Sequence, residues 1–191
     1  MNQIIETIKS RRSIRRYLPE QIKDEELNLI LEAAIYAPSG HNDQPWHFTV
    51  IQNKELIDYI SQRTKELMVN ASTDWIAKMG SSEKYHLLHN APTVIIVSGV
   101  SNPNPELPYS PIADCSAAIQ NMLLAAHSIG IASCWIGLTS FLFEREEEVK
   151  RLNLNIPEGY TPLFAVTLGY SSLSKNPTAL ERKSSVINYI K

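Results

Sequence analysis

Apolar residues along this chain recur with helical spacing in some stretches and in unbroken runs in others. Ile4, Ile5 and Ile8 fall at helical spacing and predict a short helix over residues 2–10. Asp24 opens a clearer helix: Glu25 and Glu26 suit its positive end, and Leu27, Ile30, Leu31, Ala34 and Ile35 share one face. Asn53 caps a third helix that runs to about Met68, with Leu56, Ile57, Ile60, Thr64 and Leu67 on one side. Residues 70–90 read as weakly helical. A long apolar helix spans residues 112–129 and closes at Gly130, and residues 143–152 read as a charged surface helix. Strands are predicted over residues 47–51, 93–97, 133–137 and 163–168, and the β-branched run from Thr93 to Val97 marks a buried central one. The tail from Tyr170 to Lys191 is polar until Val186, Ile187, Tyr189 and Ile190.

Helices and strands are mixed, with too few strand–helix–strand units for a doubly wound sheet, so an α+β layered fold is expected. No repeat or linker divides the 191 residues, and one domain over 1–191 follows. At 43% hydrophobic residues and a net charge of −2, the chain gives no global reason to expect nucleic acid or an anionic membrane as partner. Cys115 and Cys134 lie in apolar stretches and are too few for a disulfide scaffold. With no secretory pattern at the N-terminus, a cytoplasmic protein with reduced thiols is expected.

Two features depart from this average. Four of the eight arginines crowd into Arg11-Arg12-Ser13-Ile14-Arg15-Arg16, and the 27 residues from Ile112 to Leu138 carry one formal charge, Asp114. The second suggests a membrane span, but Gln120, Asn121, His127, Ser128 and Gly130 interrupt it, so it reads as a buried helix. Several chemistries are excluded by the absence of their motifs: the dinucleotide glycine fingerprint, the P-loop and the hydrolase nucleophile elbow. His86 and His89 fall at i, i+3 without further ligands, which leaves a helix face rather than a metal site. The apolar neighbours of Cys134 predict a buried thiol of raised pKa.

Four segments carry chemistry. Arg11, Arg12, Ser13 and Arg15 supply charged donors and a hydroxyl of the kind phosphate needs. The loop Ala37-Pro38-Ser39-Gly40-His41-Asn42-Asp43-Gln44-Pro45-Trp46 is rigid and rich in amides that can pair with a planar heterocycle. In Cys134-Trp135-Ile136-Gly137 a glycine permits close backbone approach. Arg182 and Lys183 offer a further phosphate contact.

In this order, R-R-S-x-R, then A-P-S-G-x-N-x-Q-P-W about 25 residues later, then C-W-x-G and a last strand ending L-G-Y, the chain resembles the nitroreductase family of FMN-dependent oxidoreductases over essentially its whole length. The resemblance implies an α/β sandwich with a central, mainly antiparallel sheet flanked by helices, assembled as an intertwined homodimer with FMN at the interface. By it, Arg11, Arg12 and Ser13 would hold the phosphate and ribityl chain, and Arg15 the pyrimidine edge. Pro38, Ser39, Gly40 and Asn42, with Gln44, would come from the other subunit. Ile136 and Gly137 would face flavin N5, and Arg182 with Lys183 would close over the phosphate. Hydride would pass from NADH or NADPH to a nitroaromatic, quinone or related small acceptor in a ping-pong cycle, with no protein acid or base required. Neither nucleic acid nor membrane is implied as a partner. Dehalogenating and flavin-fragmenting relatives share the fold, with a lid expected over residues 65–90 and Trp75, Tyr85 and His86 as candidates for the substrate side. The alternative of another class is a non-catalytic module that uses Arg11–Arg16 on phosphate or nucleic acid.

Overall fold

In the computed structural model, which describes residues 2–183 and 185–191, four strands form one antiparallel sheet. β1 (Trp46–Ile51), β2 (Thr93–Val100), β3 (Ala132–Ile136) and β4 (Tyr160–Gly169) lie in the order β1-β2-β4-β3. The helices are α1 (Gln3–Ser10), α2 (Asp24–Ile35), α3 (Lys54–Met68), α4 (Asp74–Ser81), α5 (Ser110–Ser128), α6 (Ser140–Phe143) and α7 (Glu146–Leu152).

The run in β2 is unbroken because both faces of the sheet are covered. Ile95 and Val97 join a core with α2 and α5, while Val94 and Ile96 join a second with α3 and α6. Alternation of side chains along a strand divides the residues between the two cores. Predicted helix starts have their physical cause in the caps. The Asn2 side chain accepts from Ile4 N–H at 2.9 Å, and Asn53 accepts from Leu56 N–H at 2.9 Å. Gly130, at φ +81°, ends α5 in the left-handed conformation that glycine adopts freely.

Two expectations change. Within residues 70–90 only α4 is helical; the rest turns, with His89 and Asn90 at positive φ, so His86 and His89 share no helix face. His86 instead contacts Asp58 at 3.3 Å and accepts from Asn90 N–H at 3.1 Å. The charged helix of residues 143–152 breaks between α6 and α7, which lets Leu142 and Phe143 enter the core. Nor is it wholly a surface element: Glu148 is buried and accepts from Arg63 of α3 at 2.6 and 3.0 Å.

The arginine segment lies along the exposed edge of β3. Ile14 N–H donates to Ser133 O at 3.0 Å, Ser13 bridges Ser133 in parallel register, and Leu18 N–H donates to Tyr170 O at 2.8 Å. Ile14 is buried, which anchors the segment and turns its neighbours Ser13 and Arg15 the other way. Beneath it the Tyr17 hydroxyl donates to Ile14 O at 2.6 Å and shares a hydrogen bond of 2.8 Å with Thr167 Oγ1.

Candidate anion and cofactor site

Three predicted basic or polar residues come together around the buried thiol of Cys134. Ser13 and Arg15 lie within hydrogen-bonding influence of it, and Arg11 within its electrostatic reach. Burial pushes the thiol up, against the lowering effect of Arg15, Ser13 and Arg11. Arg182 from the tail lies within electrostatic reach of Arg11. Burial, then the adjacent Arg12 charge and more weakly Arg182, hold the Arg11 guanidinium below its ordinary range. Among the described residues, Arg11, Arg12, Arg15, Arg182 and Lys183 form no ion pair.

Two buried donors at this place lack a partner, Arg11 Nη1 and Arg12 Nε. A buried guanidinium nitrogen without an acceptor is costly, and clustered like charges add to the cost. An oxyanion removes both costs at once, which is the chemical fit of this site to a phosphate-bearing group. Arg12 divides its duty: its Nη1 donates to Lys9 O at 2.7 Å and Arg11 O at 2.6 Å, capping α1. Lys183 is exposed. Ile136 is buried at the end of β3, and a Cβ added at the exposed Gly137 would meet nothing within 4 Å, so a planar group has open room there.

His89, set aside above as a metal ligand, lies instead near the arginine segment. It lies beside Tyr85, ring centroids 5.9 Å apart, and both feel the Arg15 charge. Burial first, and Arg15 next, lower His89 to about 4, so its ring is neutral at pH 7. No motif in the sequence marks this role, because the fold alone brings His89 near Arg15.

The loop of Pro38, Ser39, Gly40, Asn42 and Gln44 is elsewhere. It docks at the N-terminal end of α5, where Gly40 N–H donates to the Asp114 carboxylate at 3.3 and 3.4 Å. The arginine segment meets the opposite end, where Ser10 Oγ and His127 Nε2 are 2.8 Å apart. Asp114 and His127 are thirteen residues apart along α5, roughly 20 Å at 1.5 Å per residue. One chain therefore does not bring the two halves of the predicted site together. A cleft of about 1050 Å³ between α6, α7 and β4 is lined by none of these residues.

Fold and site together define an α+β protein with a cluster of arginines, unpaired among the described residues, on a sheet edge. The chain belongs to the nitroreductase family, whose pattern it matches over residues 8–170. It is 36% identical over 183 residues to a protein of Archaeoglobus fulgidus assigned provisionally as an NADH dehydrogenase/NAD(P)H nitroreductase, covering 92% of this chain and 90% of that one. Among solved structures it is similar to a nitroreductase with bound FMN from Bacteroides fragilis, with a TM-score of 0.87, 35% identity and full coverage of both chains. A second nitroreductase with bound FMN, from Desulfitobacterium hafniense, gives a TM-score of 0.86 and 31% identity, again over the whole of both. Among the described residues, no helix is long and apolar enough to cross a membrane.

Proposed function

We propose that this chain is a single-domain, cytoplasmic FMN-dependent oxidoreductase. It works as a homodimer and passes hydride from NADH or NADPH to nitroaromatic, quinone or related small acceptors in a ping-pong cycle. The observation that carries the reading is the uncompensated cluster of Arg11, Arg12, Arg15 and Arg182, two of whose buried nitrogens await an acceptor. The relatives' bound FMN and NAD(P)H names supply the chemistry that this cluster fits.

FMN, when bound, supplies the hydride transfer, which explains why no acid–base dyad is needed. Arg11 and Arg12, with Ser13 and Arg182, bind the phosphate end by charge-assisted hydrogen bonds. Arg15 would set a cation beside the neutral His89, where the pyrimidine edge of the bound ring would lie. Ile136 and Gly137 leave a face free of bulk for donor and acceptor in turn.

A second copy of the chain would answer the separation along α5, because its loop can reach an arginine cluster that the first chain's loop cannot. The open face of α5 supports this: exposed Ile112 and Ala113 are followed by partly open Ser116 and Ala117, small enough for another backbone to approach closely. Ile4, Ile5 and Ile8 of α1 and Val186, Ile187, Tyr189 and Ile190 of the tail are likewise exposed, as a monomer has little reason to leave them.

The test is spectroscopic. The purified protein is expected to be yellow, to bleach with NADH or NADPH, and to recover with a quinone or nitroaromatic. Colourless protein that takes up no added FMN would overturn the reading.

A further inference from the structure

Asp114 is the one formal charge in the 27-residue apolar stretch, and at 8% exposure it is buried without an ion-pair partner among the described residues. Its carboxylate accepts from Gly40 N–H at 3.3 and 3.4 Å and from the Ser110 hydroxyl at 3.1 Å. The segment it holds is backbone that few residues adopt: His41, Asn42 and Gln44 sit at φ 52°, 61° and 47°. Such backbone persists where its surroundings over-determine it, and it concentrates at ligand clamps. Inside the loop the ties are local, Gln44 N–H to Ser39 Oγ at 3.1 Å and Asp43 N–H to Gly40 O at 2.9 Å. Asp114 ties it to the helix. The approach there is close, since a Cβ on Gly40 would stand 3.1 Å from Ser110 Oγ.

We propose that Asp114 is a positioning residue: its carboxylate latches residues 39–44 onto α5 in the one conformation that presents Ser39, Asn42 and Gln44 to the flavin. The latch rests on reading this loop as a flavin-contact element. A carboxylate suits the task because it accepts from two donors at once and, being buried, is favoured only while both are in place.

FMN titration of Asp114→Ala and Asp114→Asn tests it, paired with limited proteolysis of the flavin-free proteins. Asp114→Ala should weaken FMN binding by about tenfold or more, as expected for a lost hydrogen bond to a charged group. It should also open a cleavage site confined to residues 39–44. Asp114→Asn, whose amide oxygen still accepts from Gly40, should recover most of both. Wild-type affinity and an uncut loop in Asp114→Ala, or no recovery in Asp114→Asn, would overturn the latch. Should Asp114→Ala not fold, Ser110→Ala and Gly40→Ala carry the test: weakened FMN binding in each supports the latch, and wild-type binding in both overturns it. A wild-type chain that binds no FMN, while Asp114→Ala still exposes the loop to protease, sinks the functional reading and leaves the latch standing.

Discussion

The two ends of α5 hold their share of the site by opposite means. At the C-terminal end, the arginine segment has ordinary extended backbone stitched to β3 and an excess of charge with nothing to oppose it. At the N-terminal end, the loop carries its strain in the backbone, at His41, Asn42 and Gln44, and is tied to the helix through Asp114. One end is electrostatically unfinished and the other conformationally set. An anion completes the first; a latch maintains the second. Binding energy should therefore come from the arginine end, and orientation from the loop.

The largest effect expected of that contrast is at Arg11. Arg11→Ala should weaken FMN binding by about 100-fold, as for loss of a two-pronged charge-assisted contact. Its flavin-free form should melt no lower than wild type, because a buried, repelled cation has been removed. Equal losses of affinity and stability would erase the distinction between the two ends.

Mixing subunits asks whether the ends meet across chains. Arg11→Ala and Asn42→Ala homodimers should each bind FMN poorly. A mixed dimer pairs the intact arginines of one chain with the intact loop of the other, so one of its two sites is restored. Co-refolding in equal amounts should then return about a quarter of all sites to wild-type affinity, given random pairing of twofold dimers. No gain over the homodimers would place both ends of each site in one chain.

The smallest effect is on pH dependence, and its largest contribution comes from His89 beside the arginine end. His89 is lowered to about 4 in the fold, against an ordinary value near 6.5 when unfolded. Between those values the unfolded chain binds the extra proton, so stability is full above about pH 6.5 and falls as the pH drops toward 4. His86 and His127 are lowered too and act in the same direction. The melting temperature should fall between pH 6.5 and 5, above the range where the paired carboxylates titrate, and His89→Gln should flatten that slope. An unchanged slope would remove His89 from the cluster.

Much of the fold was legible because caps and periodicity act locally. Asn2, Asn53 and Gly130 mark helix ends by chemistry contained in a few residues, and the burial of β2 and of Leu27, Ile30 and Ala34 in α2 follows from spacing. Ile35, on the same face by spacing, is instead the last residue of the helix and stands exposed. The break between α6 and α7 was not legible, since acidic Glu144, Glu146 and Glu147 conceal that Leu142 and Phe143 must turn inward. The arginines were found by their density. Tyr17, His89 and Asp114 were not, because each acts through a neighbour distant in sequence: Thr167, Arg15 and Gly40. Spacing along the chain also could not reveal that the two halves of the site lie at opposite ends of one helix.

Because α5 spans the distance between those halves, it sets their relative rotation as well as their separation. One residue inserted within it would turn one end against the other by about 100° and shift it by about 1.5 Å. A loop absorbs such a change locally; this helix would transmit it to everything attached at its far end. Length variation in chains of this kind is therefore to be sought in the proline-rich connection of residues 101–109 or in the tail. The 19 residues of α5 admit substitution but not insertion or deletion.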